Sequence, residues 1–241
     1  MRRLSWIVGF IWLLMLAALA CTVPGIEPAG PAATPTPLGD TLSFTIPAFT
    51  MNLDEGDTIP GTQLTYVARE GDTYQVTIDG LAAQKRAGDS FIWSGLLAPG
   101  VFGSYNLRLT TAVFGSLPVA GPVEVTVFYP APVSLETLPD LPNALTFRNT
   151  VINYYVPPGR VIPGTTLVYE QMLNEGEGDQ QTRQAQFSGL TGYPYLAVGD
   201  SLPWRGQLRD NVYIEYGLRI LSISEEGIRV AGFANLWVIQ P

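Results

Sequence analysis

Apolar and polar residues alternate one by one through much of the chain beyond residue 40. Tyr74, Val76 and Ile78 interleave with Gln75, Thr77 and Asp79; Val123, Val125 and Val127 interleave with Glu124 and Thr126. Successive side chains of a strand point to opposite faces, so this spacing of β-branched and aromatic residues predicts half-buried strands. The first half carries strand candidates at 42–49, 63–69, 73–79, 91–97, 104–113 and 123–129. Glu70-Gly71-Asp72, Ala98-Pro99-Gly100 and Val119-Ala120-Gly121 read as the turns between them, and Glu225-Glu226-Gly227 as the last turn of the second half. No segment after the N-terminal region shows the apolar stripe of a packed helix.

The pattern is written twice. Ile59-Pro60-Gly61-Thr62, with Leu64 and Tyr66, recurs 103 residues later as Ile162-Pro163-Gly164-Thr165, with Leu167 and Tyr169. Gly88-Asp89-Ser90, Trp93 and Gly95 recur 111 residues later as Gly199-Asp200-Ser201, Trp204 and Gly206. That offset runs without a gap to Pro241, with 15 of 43 positions identical between 88–130 and 199–241. Repeats of this kind mark a duplicated unit. The expected organisation is all-β, with two tandem homologous modules at 41–130 and 144–241, joined by a proline-rich linker at 131–143. About six antiparallel strands per module fit a small barrel or a sandwich. Each module is long enough for a core of its own, and any activity is expected to sit in the modules themselves.

The first 40 residues differ in kind. Arg2 and Arg3 precede an almost wholly apolar run from Ile7 to Ala20, which ends in Ala18-Leu19-Ala20-Cys21. The order positive, apolar, small is that of an export signal, and the run is shorter than the ~20 residues of a spanning helix. Residues 1–21 resemble the signal peptide and lipobox of bacterial lipoproteins, with Ala18 where leucine is usual. The resemblance implies cleavage of 1–20, a lipid on the Cys21 thiol (diacylglycerol, with a palmitate-type acyl chain on the new N-terminus) and an extracytoplasmic, membrane-anchored protein at the cell surface. Several acyl chains on one residue anchor stably, at ~0.8 kcal/mol per buried CH₂. Residues 21–40 then form a linker with prolines at 24, 28, 31, 35 and 37. An extended chain of this length reaches up to ~60 Å from the bilayer.

Composition narrows the chemistry. The formal charge is −8, from 13 Lys plus Arg against 21 Asp plus Glu. An acidic chain is a poor partner for nucleic-acid phosphates, so the expected partners are the membrane, through the lipid, and a cell-surface protein or glycan. The chain has no histidine and one cysteine. Disulfides, the usual zinc and haem sites and imidazole catalysis are therefore absent from the expectation, and no cofactor or metal is expected.

Each chemical motif has a plainer reading beside it. Gly199-Asp200-Ser201-Leu202 spells the motif of a large esterase family, but that family uses a histidine base on an α/β fold. A Gly-Asp turn entering a strand accounts for it and for Gly88-Asp89-Ser90-Phe91. Trp93 and Trp204 occupy one matched position, and what two diverged modules share is mostly what the fold requires, so both are expected in or near the core. Arg108 and Arg219, with Asp89 and Asp200, could form a repeated structural Arg–carboxylate pair. Asn52–Asp57 and the run from Asn174 to Asp179 are read as solvated turns rather than calcium loops.

The second module gains 8 residues, since the offset grows from 103 to 111. Two of them fall in Thr191-Gly192-Tyr193-Pro194-Tyr195, opposite Ala82-Ala83-Gln84-Lys85-Arg86. Loops on a rigid β-scaffold are where binding residues sit, so Tyr193 and Tyr195 are the candidate ligand contacts. The expected role is binding or structural and non-catalytic. Glycan recognition through these tyrosines is the first alternative, and a hydrolase working with two carboxylates the second.

Overall fold

The structure is a computed structural model and describes residues 40–110, 116–175 and 182–241. Cys21 and the linker before Asp40 lie outside these residues, as do Val113 and the tip of the acidic hairpin at 176–181.

The described residues are all β, with no helix among them. The first half contains β1 (Thr41–Leu53), β2 (Leu64–Glu70), β3 (Thr73–Ile78), β4 (Leu81–Lys85), β5 (Ser90–Ala98), β6 (Val101–Leu109) and β7 (Leu117–Phe128). A short β8 (Val133–Ser134) follows. The second half contains β9 (Leu145–Val156), β10 (Arg160–Val161), β11 (Val168–Glu175) and β12 (Thr182–Ser188), then β13 (Tyr195–Ala197), β14 (Ser201–Arg209), β15 (Val212–Ser224) and β16 (Gly227–Val238).

All pairings are antiparallel and the four sheets are open. The first half forms one sheet in the order β1-β7-β6-β5 and a second in the order β2-β3-β4. The second half repeats both orders, as β9-β16-β15-β14 with β8 added beyond β14, and as β11-β12-β13 with β10 added beside β11. In this half the small sheet lies over the large one, β11 against β16 and β12 and β13 against β15.

Three details depart from the sequence expectation. The first half has seven strands instead of six, because β4 pairs along the whole of β3. Leu81 is exposed and β4 has no alternating apolar face to announce it. Val119-Ala120-Gly121 is not a turn but lies inside β7, paired with Phe49, Thr50 and Met51 of β1. The 131–143 segment is more than a connector: Val133 and Ser134 pair with Gln207 and Gly206. Ala131 and Leu135 extend the ladder by donating their backbone N–H groups to the carbonyls of Leu208 and Arg205. Pro132 has no N–H to leave unpaired, so an edge strand tolerates it.

The repeated Ile-Pro-Gly-Thr motif has a definite task. Thr62 and Thr165 fold each copy into a tight turn by donating their hydroxyls to the carbonyls of Ile59 and Ile162, at 2.7 and 2.9 Å. Core tyrosines pin the turns, Tyr105 donating to the Pro60 carbonyl and Tyr216 to that of Pro163. Gly61 and Gly164 have φ of 78° and 74°, the left-handed region that glycine enters without strain. They also sit where the halves meet: a Cβ on Gly61 would lie 3.0 Å from Leu145 of the second half, and one on Gly164 would lie 2.6 Å from Leu42 of the first. Leu42 and Leu145 are themselves matched at the offset of 103, so the contact is reciprocal, as in a two-fold dimer interface. β1 lies against β9, and Phe147 of the second half packs on Phe49 and Tyr105 of the first. The buried side chains of both halves form one cluster. Burial raises the phenols of Tyr105 and Tyr216 well above the ordinary tyrosine range and pushes Tyr154 up to about 12. These hydroxyls stay neutral in the core at any physiological pH.

Candidate functional site

The matched arginines and aspartates serve one turn without touching each other. In each half the glycine and the aspartate's backbone pair with the neighbouring strand, Gly88 and Asp89 with Leu109, Gly199 and Asp200 with Ile220. The aspartate carboxylates accept from the backbone N–H groups of Arg86 and Ala197, both at 2.8 Å. Arg108 and Arg219 donate instead to the carbonyls of Gly88 and Gly199, at 3.3 and 3.0 Å. The expected Arg–carboxylate pair is therefore replaced by two separate clamps on one Gly-Asp turn. The serines that follow begin β5 and β14, as strand-entry residues.

The two tryptophans have diverged. Trp204 is 5% exposed, donates its indole N–H to the Thr166 hydroxyl at 3.1 Å and rests 6.1 Å from the Tyr216 ring. Trp93 meets Tyr105 edge to face at 5.9 Å but is only half-buried. The difference follows from β8. It covers the edge of β14, whereas β5 is the last strand of its sheet. Gly206 makes that cover feasible, since a Cβ there would lie 2.3 Å from the Val133 carbonyl and 2.3 Å from the Trp204 ring.

Covering β14 also builds a groove of about 520 Å³. One wall is Ser134, Leu135 and Glu136 from the segment after β8; the other is the loop carrying Leu190, Thr191 and Tyr193. Trp204 lies in the lining between them, with Arg205 at the rim. The loop is held by an N–H of Phe187 donated to the Pro194 carbonyl at 2.8 Å and by pairing of Tyr195 with Gln186. Tyr193 stands 66% exposed and meets Tyr195 edge to face at 5.2 Å, with Tyr195 half-buried beneath it. The structure thus brings Tyr193, Tyr195 and Trp204 into one neighbourhood. Among the described residues the first half has no strand beyond β5 to wall such a groove. Ala82 to Lys85 are spent in β4, and Lys85 folds back to donate to the Ser90 carbonyl at 3.1 Å.

The groove combines the rings of Tyr193 and Trp204 and the side chains of Leu135, Leu167, Leu190 and Leu196 with an equal share of polar surface from Ser134, Glu136, Thr191, Ser201 and Arg205, a mixture that suits a sugar. Its lining holds one carboxylate, Glu136, and one guanidinium, Arg205, which pairs with Glu215 at 3.5 Å. No group of three metal-ligating side chains occurs among the described residues. No family model matches the chain, and neither the curated proteins nor the solved structures contain a match.

Proposed function

We propose that this chain is a lipid-anchored, extracytoplasmic binding protein of the bacterial cell surface, held by an acylated Cys21 and raised from the membrane on its proline-rich linker. In this reading a tandem duplication produced two β modules. The first supports the second, and the second binds a glycan in the groove beside Tyr193. The role is recognition without catalysis.

One observation carries the binding assignment: among the described residues only the second half has an added strand, β8, which with the Tyr193 loop walls the groove. A feature the fold required would be present in both. Glycoside cleavage by paired carboxylates needs two of them across the scissile bond, and the groove lining supplies one. An exposed tyrosine steadied by a second ring offers a flat apolar face to a sugar at small entropic cost, having only two side-chain torsions to fix.

The test is a glycan and peptidoglycan array probed with the full chain in detergent micelles. Tyr193→Ala is expected to weaken the array signal about tenfold, the effect of losing one binding hot spot, while leaving the melting temperature unchanged. Undiminished binding by both Tyr193→Ala and Tyr195→Ala would remove the groove from the account.

A further inference from the structure

The outer face of the large sheet in the second half is built differently from its counterpart in the first. In the first half the solvent side carries no matched arginine but Arg108, and its two hydroxyl pairs, Ser43 with Thr126 at 2.9 Å and Ser94 with Ser104 at 3.1 Å, lie among exposed Ile92, Leu96 and Phe102. At the matched positions the second half places Trp237 for Thr126, Arg205 for Ser94 and Glu215 for Ser104. Tyr213 stands where Phe102 does, and Phe233 where Pro122 does. Two sheets with one strand order need the same buried side chains, so this contrast on the solvent side is not imposed by the fold.

The register lays these residues out in rows. Tyr213 faces Trp237 across β15 and β16, and Gln207 donates its amide to the Tyr213 hydroxyl at 3.3 Å. Four residues along β16, Phe233 is 55% exposed, paired with Gly217 on one side and Val151 on the other. A Cβ on Gly217 would meet nothing closer than the Phe233 carbonyl at 3.8 Å, so the surface beside that ring is open. Four residues further, Arg229 pairs with Tyr155. At ~3.4 Å per residue, ring-bearing rows recur every ~13 Å along the face. Exposed apolar area in such a polar frame marks an interaction surface.

The face is also basic. Arg148, Arg205, Arg219 and Arg229 are all exposed on it; Glu215 is the carboxylate on its outward strand positions, and Glu136, Asp200, Glu225 and Glu226 stand at its margins. This excess of positive charge stands out on a chain of formal charge −8. The acidic remainder of the molecule does not cancel it, because charges beyond ~8 Å are largely screened at physiological ionic strength. A guanidinium fork matches a carboxylate in two parallel hydrogen bonds. Arg205 belongs to this face and to the rim of the Tyr193 groove, as does Pro203. The two surfaces are therefore continuous.

We infer that the outer face of β9, β16, β15 and β14 docks a linear acidic polysaccharide, its carboxylates held by the arginines and its sugar faces laid on Phe233 and the neighbouring rings. The inference rests on the glycan reading of the groove and extends it by naming the ligand class. The polymer leaves the groove over Arg205 and continues across the sheet.

The experiment measures binding of the full chain in detergent micelles to three probes: polygalacturonate, a neutral linear β-glucan and inorganic polyphosphate. Polygalacturonate is expected to bind tightest. Arg148→Gln combined with Arg229→Gln is expected to weaken it about tenfold, and Phe233→Ala about fivefold, the range of hot-spot losses at an interface. Raising salt from about 0.05 to 0.5 M should weaken it further, because these charges are exposed. All three side chains are exposed, and an unchanged melting temperature checks that each variant folds. Preference for the neutral glucan, lost in Tyr193→Ala but indifferent to Phe233→Ala, would overturn the inference and leave the groove standing. Equal binding of polyphosphate with no effect of Phe233→Ala would overturn it as mere charge attraction. No binding to any glycan would overturn both readings.

Discussion

Trp204→Ala is expected to destabilise the fold by about 4 kcal/mol, and the matched change Trp93→Ala by about half as much. Both indoles lie over a glycine of their own strand, Gly206 and Gly95, and both touch a core tyrosine. Their settings then diverge. Trp204 is nearly fully buried beside β8 and has its N–H accepted by Thr166, so removing it uncovers the core beneath the groove and takes away the partner of the Thr166 hydroxyl. Trp93 sits on an uncovered edge strand, where solvent can fill the space it leaves. Urea unfolding reads the difference as a shift in midpoint at constant slope. Equal shifts, or none at Trp204, would show that β8 does not seal the second half as described.

The second large effect concerns two glycines the sequence pairs at the offset of 111. A Cβ on Gly121 would lie 2.2 Å from the Asn106 carbonyl oxygen, and one on Gly232 would lie 2.1 Å from that of Gly217. The obstructing atoms are backbone of the adjacent strand, which cannot swing aside as a side chain can. Gly232→Ala must therefore push β15 and β16 apart in the centre of the sheet. It is expected to cost about 3 kcal/mol or more, the upper end of overpacking penalties. Gly217→Ala is the control. It adds the same methyl to the neighbouring strand with open space above it, and should change stability by no more than about 0.5 kcal/mol. A Gly232→Ala variant that melts with the wild type would refute the close approach of the two strands.

These glycines also show what the sequence could and could not reveal. Alternation gave away the long strands because their inward positions are apolar and their outward ones polar. β4 escaped because it has no such face. Val119-Ala120-Gly121 looked like a turn because glycine ordinarily ends a strand, whereas here it permits two strands to touch. The segment after Pro130 looked like a linker because of its prolines. Its edge strand pairs through Val133 and Ser134 and is extended by the N–H groups of Ala131 and Leu135, which the spacing of the prolines leaves free. Neither pairing could be inferred locally, since the partners lie about 70 residues away and nothing nearby encodes them.

The candidate site was legible to the same partial degree. Tyr193 and Tyr195 stood out because they occupy an insertion relative to the other half. The groove wall formed by Leu135 and Glu136 did not, because it depends on β8 docking. The outer-face residues were harder still. Phe233 and Trp237 occur in a strand rich in apolar residues, and only the register shows that they lie opposite Gly217 and Tyr213 on the solvent side. The matched arginines and aspartates were read as partners because they recur together. They do act together, but through the backbone of one turn.

We propose that one β-fold is written twice, with the first copy kept for structure and the second for binding. A residue-by-residue map of amide chemical shifts during titration of the full chain with polygalacturonate tests this most directly. The expected changes fall on 133–136, on the loop at 189–196 and on β14, β15, β16 and β9, with β5, β6 and β7 unmoved. Changes spread evenly over both halves, or centred on β5, β6 and β7 of the first, would contradict it.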